Sequence, residues 1–397
     1  MRRLRLTTAG ESHGPGLTAI LEGMPAGLAV DRDLLAREMK RRQHGHGRGR
    51  RMQIEDDRVE IRGGVRAGET LGSPIALWIE NRDYANWRRA MSADAAEIDP
   101  AFAELRRLRS PRPGHADLAG GLKYRRHDLR DVLERASARE SAARVAGGAF
   151  ARMLLSVLGV EIASGVRSLG SIGADDPLPD WAALAAVDDA SPLRAVRREI
   201  EPSMVALVDE ARAKGDTLGG TVTVIAHGVP AGLGSHVSWE TKLDGRIAQA
   251  MLSIPAVKGV EIGDAARAAR GFGSSAHDAI EPASGGNFHR PTNRAGGLEG
   301  GVTNGEDVVV TIHKKPIATL REGLPSVDLD TGEPHASQYE RSDVTALPAA
   351  GVIAEAMLAL VLADAVLEKF GGDSMAELAA HVAAGRALAS PWPGRSR

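Results

Sequence analysis

Residues 348–370, PAAGVIAEAMLALVLADAVLEKF, are apolar on nearly every side at helical spacing, and a helix of that kind has to lie in the middle of a fold. Proline in its first turn and Gly371-Gly372 just past its end supply start and stop signals. Glu355 and Asp364 interrupt the apolar stretch 346–367, so it does not read as a plain membrane span. Such a helix needs layers around it, and the rest of the chain offers mainly strands. Short β-type runs fall at 5–8, 17–21, 59–61, 75–79, 221–226 and 308–312, several of them separated by glycine-rich turns. Helical spacing recurs at 33–42 and over a longer stretch, 133–158, whose second half is nearly apolar.

Buried helices beside antiparallel-looking sheets predict an α+β fold rather than a parallel βαβ fold. Consistent with that, the chain has neither a Gly-x-Gly-x-x-Gly turn nor a phosphate-loop Gly-Lys-Ser/Thr sequence. No repeat has a fixed period. The sequence is read as one domain over 1–387, with 388–397 a disordered tail and 175–180 (DDPLPD) the only plausible linker.

Cysteine is absent, which removes disulfides, thiolate nucleophiles and Cys-type zinc or iron–sulfur sites. A net charge of −2 gives the whole molecule no electrostatic pull toward nucleic acid or membranes. The N-terminus has no apolar segment of the signal-peptide kind, so a cytoplasmic protein is expected. Glycine, 46 of 397 residues, exceeds the usual ~7% and suggests many tight turns or close backbone–ligand approaches.

The polar clusters carry the chemistry. Gly10-Glu11-Ser12-His13-Gly14 places a carboxylate, a hydroxyl and an imidazole between two glycines. Residues 40–51, KRRQHGHGRGRR, hold six Lys/Arg and two His. That run fits a solvated loop, a nucleic-acid patch or a wall for a small polyanion, since arginine clamps phosphate and carboxylate bidentately. His44-x-His46 lacks a nearby carboxylate or thiolate, so no metal site is expected. His115 lies in RSPRPGHAD, where two prolines fix the backbone. Arg135 and Arg139, four apart, are expected on one helix face, with Glu134 and Glu140 as counter-ions. Residues 284–305 contain seven glycines and form a loop system able to cradle phosphate. Lys314-Lys315-Pro316 follows a strand, and Arg341-Ser342-Asp343 precedes the buried helix.

In this order GESHG, GHGRGRRM, RPGHAD, RASARE, AVKGVEIG (256–263), TNRAGGLEGGVTNG (292–305), KKP and RSD followed by PAAGVIAEAM resemble the chorismate synthase family over essentially the whole domain. The resemblance implies a β-α-β sandwich, a homotetramer, and one FMN per subunit. It also implies anti 1,4-elimination of phosphate from 5-enolpyruvylshikimate 3-phosphate, a small-molecule substrate, with the flavin reduced. By the same resemblance, His13 stands by the leaving phosphate and His115 faces the flavin. Asp343 acts as base together with flavin N5, while Ser12 and Ser137 relay protons or hold substrate. Arg42, Arg48, Arg112, Arg139 and Arg341 line the substrate pocket. Flavin contacts fall on Arg135, Ser137, Ala256, Gly300, Lys315, Pro316, Ile317, Ala318, Thr319 and Arg341. Ala136, Pro255 and Ile317-Ala318 depart from the commoner family pattern, and His277 is left without a role. NADPH enters only as a source of reduced flavin, by way of an external reductase. The other class of function left open is a non-catalytic polyanion- or nucleic-acid-binding protein using residues 40–51.

Overall fold

The computed structural model describes residues 3–49, 57–283, 288–340 and 343–388. Two four-stranded antiparallel sheets form the outer layers. In the first the strand order is Arg5–Ala9, Gly16–Glu22, Ile75–Glu80, Val59–Gly63. In the second it is Glu161–Leu169, Gly220–His227, Val308–Lys314, Val257–Ile262. Between them lie the helices Ser141–Val157, packed on the first sheet, and Leu347–Phe370, packed on the second and on its helical partner. This is the α+β class expected from buried helices beside antiparallel sheets, in the β-α-β sandwich that the family resemblance implies.

The first sheet alternates, with Ile75, Leu77 and Ile79 at most 1% exposed and their neighbours outward. The second is buried on both faces, which is why Val308–Ile312 reads as a continuous apolar run. One face meets the Leu347–Phe370 helix, and the other is covered by Leu184 with Trp181, Val187 and Val196. Although that helix is long and apolar enough to cross a membrane, 89% of its most apolar stretch is buried inside the fold. Its two interrupting acids are both satisfied. Asp364 accepts from the Arg3 and Leu4 amides at 2.8 Å, and Glu355 takes Arg41 (2.6 and 2.9 Å), Ser164 (2.6 Å) and Arg152. The two central helices touch backbone to backbone: a Cβ on Gly148 would stand 2.4 Å from the Ala356 Cβ, so only glycine fits.

Two strands escaped the sequence reading for a physical reason. Glu161–Leu169 (EIASGVRSL) carries Ser164 and Ser168 into the core, where Glu355 and Thr221 (2.7 Å) satisfy them. Val257–Ile262 is an edge strand with Lys258, Gly259 and Glu261, the polar kind that resists further pairing.

The expected 133–158 helix is a correction. The chain breaks at Ser137, whose backbone is extended (ψ 140°), between the helix Arg130–Ala136 and a single 3₁₀ turn leading into Ser141–Val157. Arg135 and Arg139 therefore do not share a face. Segment 175–180 is pinned back on its strand, with Arg167 Nε donating to the Asp176 carbonyl at 3.1 Å. The helix Met375–Leu388 runs through the first residue of the expected tail; residues 389–397 lie outside the described residues.

Candidate active site

A cavity of about 830 Å³ opens where the first helix, the Ser137 break, the end of the Val308–Lys314 strand and the start of the long helix meet. His13 reaches it because the chain turns sharply at Gly10. There φ is +106° and a Cβ would lie 2.3 Å from the Gly16 carbonyl oxygen. The turn carries Ser12 and His13 away from the sheet, and Asn81 Nδ2 fixes it by donating to the Ser12 and Gly14 carbonyls at 3.0 and 2.9 Å.

Both expected histidines stand on buried carboxylates. His13 Nδ1 lies 2.8 Å from Glu134 Oε1, its amide donates to Glu134 Oε2 at 2.7 Å, and its ring stacks on Trp87 with centroids 3.9 Å apart. His115 Nδ1 lies 2.5 Å from Asp117 Oδ1, and Arg112 donates to the same carboxylate through Nε (2.8 Å) and Nη2 (2.9 Å). An ionised carboxylate only accepts, so each imidazole carries its proton on Nδ1, which leaves Nε2 as the nitrogen suited to acid–base work. Burial alone would raise Glu134. The His13 hydrogen bonds and the Arg130 charge outweigh it and hold the group below the usual carboxylate range. The same contest, won by His115 and Arg112, depresses Asp117.

The basic run divides by direction. Asp31 caps the helix Arg32–Gln43, accepting from the Asp33 and Leu34 amides at 2.9 and 2.8 Å. Near the helix end, Arg41 turns inward to Glu38 and Glu355, while Arg42 turns to the cavity and pairs with Asp57. Arg139, displaced by the Ser137 break, takes the other oxygen of Asp57. Arg48 Nη1 lies 2.7 Å from Asp343 Oδ2, and the Gly49 amide donates to Oδ1 at 2.7 Å. Arg42 and Arg41 are 3% and 8% exposed, so this is no solvated charge run. Arg50 and Arg51 lie outside the described residues, as does Arg341.

Ser137 Oγ donates to Ser12 Oγ at 3.1 Å, joining two of the expected hydroxyls. Glu134 and Glu140, expected beside Arg135 and Arg139, instead serve His13 with Arg130, and Arg144 (2.8 Å). Arg135 donates to the Thr8 and Gly10 carbonyls at 3.0 and 3.2 Å. On the opposite wall Lys315 Nζ donates to the Gly114 carbonyl (2.7 Å), its amide donates to Ala256 (2.9 Å), and Arg112 Nη1 donates to Thr319 Oγ1 (2.9 Å). Ala256 itself holds φ +67°, a left-handed conformation costing about 1–2 kcal/mol in a non-glycine residue. Ala136, Pro255, Ile317 and Ala318 line the wall without adding a hydroxyl.

Thus Ser12, His13, Arg42, Arg48, Arg112, His115, Arg135, Ser137, Arg139, Ala256, Lys315, Ile317, Ala318, Thr319 and Asp343 all line one cavity. Two expected contacts do not: Pro316 packs behind it near Gly219, and Gly300 is an exposed turn residue beside His236. Sequence reasoning passed over Trp87, Arg106, Arg130 and Arg144 on the wall, and gave no site role to Lys314 there or to Asp57, Asp117 and Glu134 behind it. The only signal for the carboxylates is position, Asp117 two residues after His115, since Asp57 and Glu134 meet their partners across the fold.

The cavity's charge is lopsided. Among the described residues, ten Arg and Lys side chains line it against Glu140, Glu340 and Asp343. Counting Asp57, Asp117 and Glu134 behind them still leaves four cations in excess among those residues, and Arg42 Nε and Arg106 Nε are buried with no hydrogen-bond partner among them. A cavity built this way is suited to polyanions and to proton transfer at imidazoles.

Known proteins agree with that chemistry. A family model described as chorismate synthase matches residues 4–367. A chorismate synthase from Moorella thermoacetica is 55% identical over 384 residues, covering 96% of this chain and 98% of its own. One from Thermus thermophilus is 54% identical over 378 residues, covering 94% and 96%. A crystal structure of chorismate synthase superimposes with a TM-score of 0.79 at 42% identity, covering 99% of this chain and all of the other. With this agreement in sequence, fold and length, the chain belongs to the chorismate synthase family.

Proposed function

We propose that this cavity carries out anti 1,4-elimination of phosphate from 5-enolpyruvylshikimate 3-phosphate, giving chorismate, with reduced FMN bound beside the substrate. The observation that carries the reading is the meeting of His13, His115 and Asp343 in a cavity with four cations in excess. The substrate's two carboxylates and phosphate sum to about −4 when the phosphate is doubly ionised. Desolvating that charge is prohibitive without fixed partners, and Arg42, Arg48, Arg112 and Arg139 supply them.

His13, its Nδ1 proton committed to Glu134, offers Nε2 to the departing phosphate. The Glu134 carboxylate and the Trp87 face fix the ring in place, so that it can exchange a proton with the departing group. Ser12 and Ser137, linked at 3.1 Å, hold substrate oxygens or pass protons beside it. Asp343 takes the proton from the ring C–H once ligand binding draws Arg48 off its carboxylate. His115, held by Asp117, protonates at Nε2 to balance negative charge on its neighbour.

The cavity's volume and donors suit FMN: Lys315, Thr319, Arg135, Ser137 and the Ala256 backbone would hold it, and the buried donor on Arg106 lacks a partner that an anionic ligand could provide. When bound, reduced FMN supplies transient electron density for breaking the C–O bond to phosphate, with no net redox change. We take the reduced flavin to come from a separate NADPH-dependent reductase and the enzyme to work in the cytoplasm. A homotetramer fits the large side chains that one subunit leaves open, including Leu122 (73% exposed), Trp239 (80%) and Phe272 (86%).

The test is anaerobic: purified protein, reduced FMN and substrate, with chorismate absorbance and phosphate release followed together. Both products should appear only when the flavin is reduced. Binding of both ligands without either product would make the chain a non-catalytic relative.

A further inference from the structure

Lys314 is the last residue of the Val308–Lys314 strand, and the pairing with Val257–Ile262 shifts register between His313 and Lys314. A bulge of that kind re-aims a side chain. Here it places Lys314 on the cavity wall, with only 7% of the residue exposed. Its ammonium forms no hydrogen bond or ion pair among the described residues. Every other deeply buried cation described on the wall has a carboxylate in contact: Arg42 and Arg139 share Asp57, Arg112 holds Asp117, and Arg130 holds Glu134. A buried ammonium with no acceptor is costly, and the open side of this one is the cavity.

We propose that Lys314 is a ligand-binding residue of this cavity, whose ammonium receives a phosphate or carboxylate oxyanion of a bound ligand beside Asp343. The proposal rests on the reading of the cavity as the chorismate synthase site and adds a contact to it. Three charged groups face Lys314: Asp343 from the segment before the long helix, Arg48 from the loop after the first helix, and Lys315 next in the chain. Burial, the largest influence, acts with Arg48 and Lys315 against the pull of Asp343 and brings the amine down to about 8. Lys314 is therefore charged at neutral pH and loses its proton just above it. An oxyanion binds the protonated form, so affinity falls as pH rises past this value, and a bound anion moves the fall upward.

The experiment compares wild type, Lys314→Met and Lys314→Arg from about pH 6.5 to about pH 9.5, a range that brackets the amine's titration. FMN binding is followed by fluorescence, and binding of 5-enolpyruvylshikimate 3-phosphate to the FMN-loaded protein by calorimetry. Near pH 7 the Met variant should bind the oxyanion-bearing ligand on the order of tenfold or more weakly, as for a lost charge-assisted hydrogen bond. Its affinity should also lose the alkaline fall. The Arg variant should recover affinity and keep it at high pH, because guanidinium stays charged. Weakened substrate with intact FMN identifies a substrate oxyanion; weakened FMN identifies the flavin phosphate. A Met variant that binds both within twofold of wild type, with the alkaline fall intact, overturns the proposal. Arg rescue separates loss of the contact from loss of the fold. Wild-type protein that binds both ligands but forms no chorismate sinks the catalytic reading alone, because the binding comparison still decides the role of Lys314.

Discussion

Arg41 and Arg42 are neighbours on one helix, yet they belong to opposite kinds of charge cluster. Arg41 is locked into a closed network with Glu38, Asp189 and Glu355, and Arg152 joins it from the Ser141–Val157 helix packed alongside. Arg42 shares Asp57 with Arg139 at the edge of a cavity where cations outnumber carboxylates. Among the described residues the first cluster balances its own charge, Arg41, Arg152 and Arg194 against Glu38, Asp189 and Glu355, and holds helices together. The second is completed only by a ligand. Charge balance, rather than charge density, separates scaffold from site here.

Breaking the closed cluster should give the largest effect on stability. Glu355→Gln leaves Arg41, Arg152 and Arg194 without their central carboxylate and should cost about 3–5 kcal/mol in urea unfolding. Turnover per folded molecule should remain; a loss of turnover at full stability would show that the two clusters are not separate. On the open side, His115→Ala should keep its melting temperature and lose roughly 10²–10⁴-fold in kcat. Unchanged activity would take His115 out of the mechanism. Arg48→Ala should weaken substrate on the order of tenfold and FMN less, since its partner Asp343 belongs to the substrate side. The reverse order would reassign the loop after the first helix. At the bottom of the scale, exposed Lys40→Ala on the same helix should change neither stability nor binding beyond about 0.5 kcal/mol.

A pH series sharpens the same contrast. Glu355, Asp57, Asp117 and Glu134 are all buried, which by itself raises a carboxyl. In each, nearby arginine or histidine partners overcome this and hold it below its unfolded value. A depressed folded pKa stabilises the fold above the unfolded pKa, near 4, and the gain fades as pH falls toward the folded value. Unfolding free energy should thus decline below about pH 4.5, and Glu355→Gln should flatten part of that decline. An identical slope in wild type and variant would mean that Glu355 titrates alike in the folded and unfolded states.

Much of this was legible in the sequence because it is local. The all-round apolar run 348–370 announced a central helix, and the His13, His115 and Asp343 motifs carried their own short context. What escaped depends on distant partners. Ser164 and Ser168 made Glu161–Leu169 look unlike a core strand until Glu355 and Thr221 satisfied them. The helix break at Ser137 is invisible in a pattern that stays helical through it, and it alone sends Arg139 toward Asp57 rather than alongside Arg135. Likewise nothing beside Glu134 in sequence points to His13, 121 positions away.

The contact of Gly148 with Ala356 has a mechanical consequence. Ala349, Ala350 and Ile353 of the long helix form part of the cavity wall, and one turn farther on that helix is pressed against its neighbour with no room for a methyl group. Close-packed interiors yield very little to compression. The base of the cavity is therefore an anvil, and whatever movement fits the enzyme around its ligands belongs to the rim, where Arg112 to Ala116 and Gln338 to Glu340 arrive on loops rather than on packed helices.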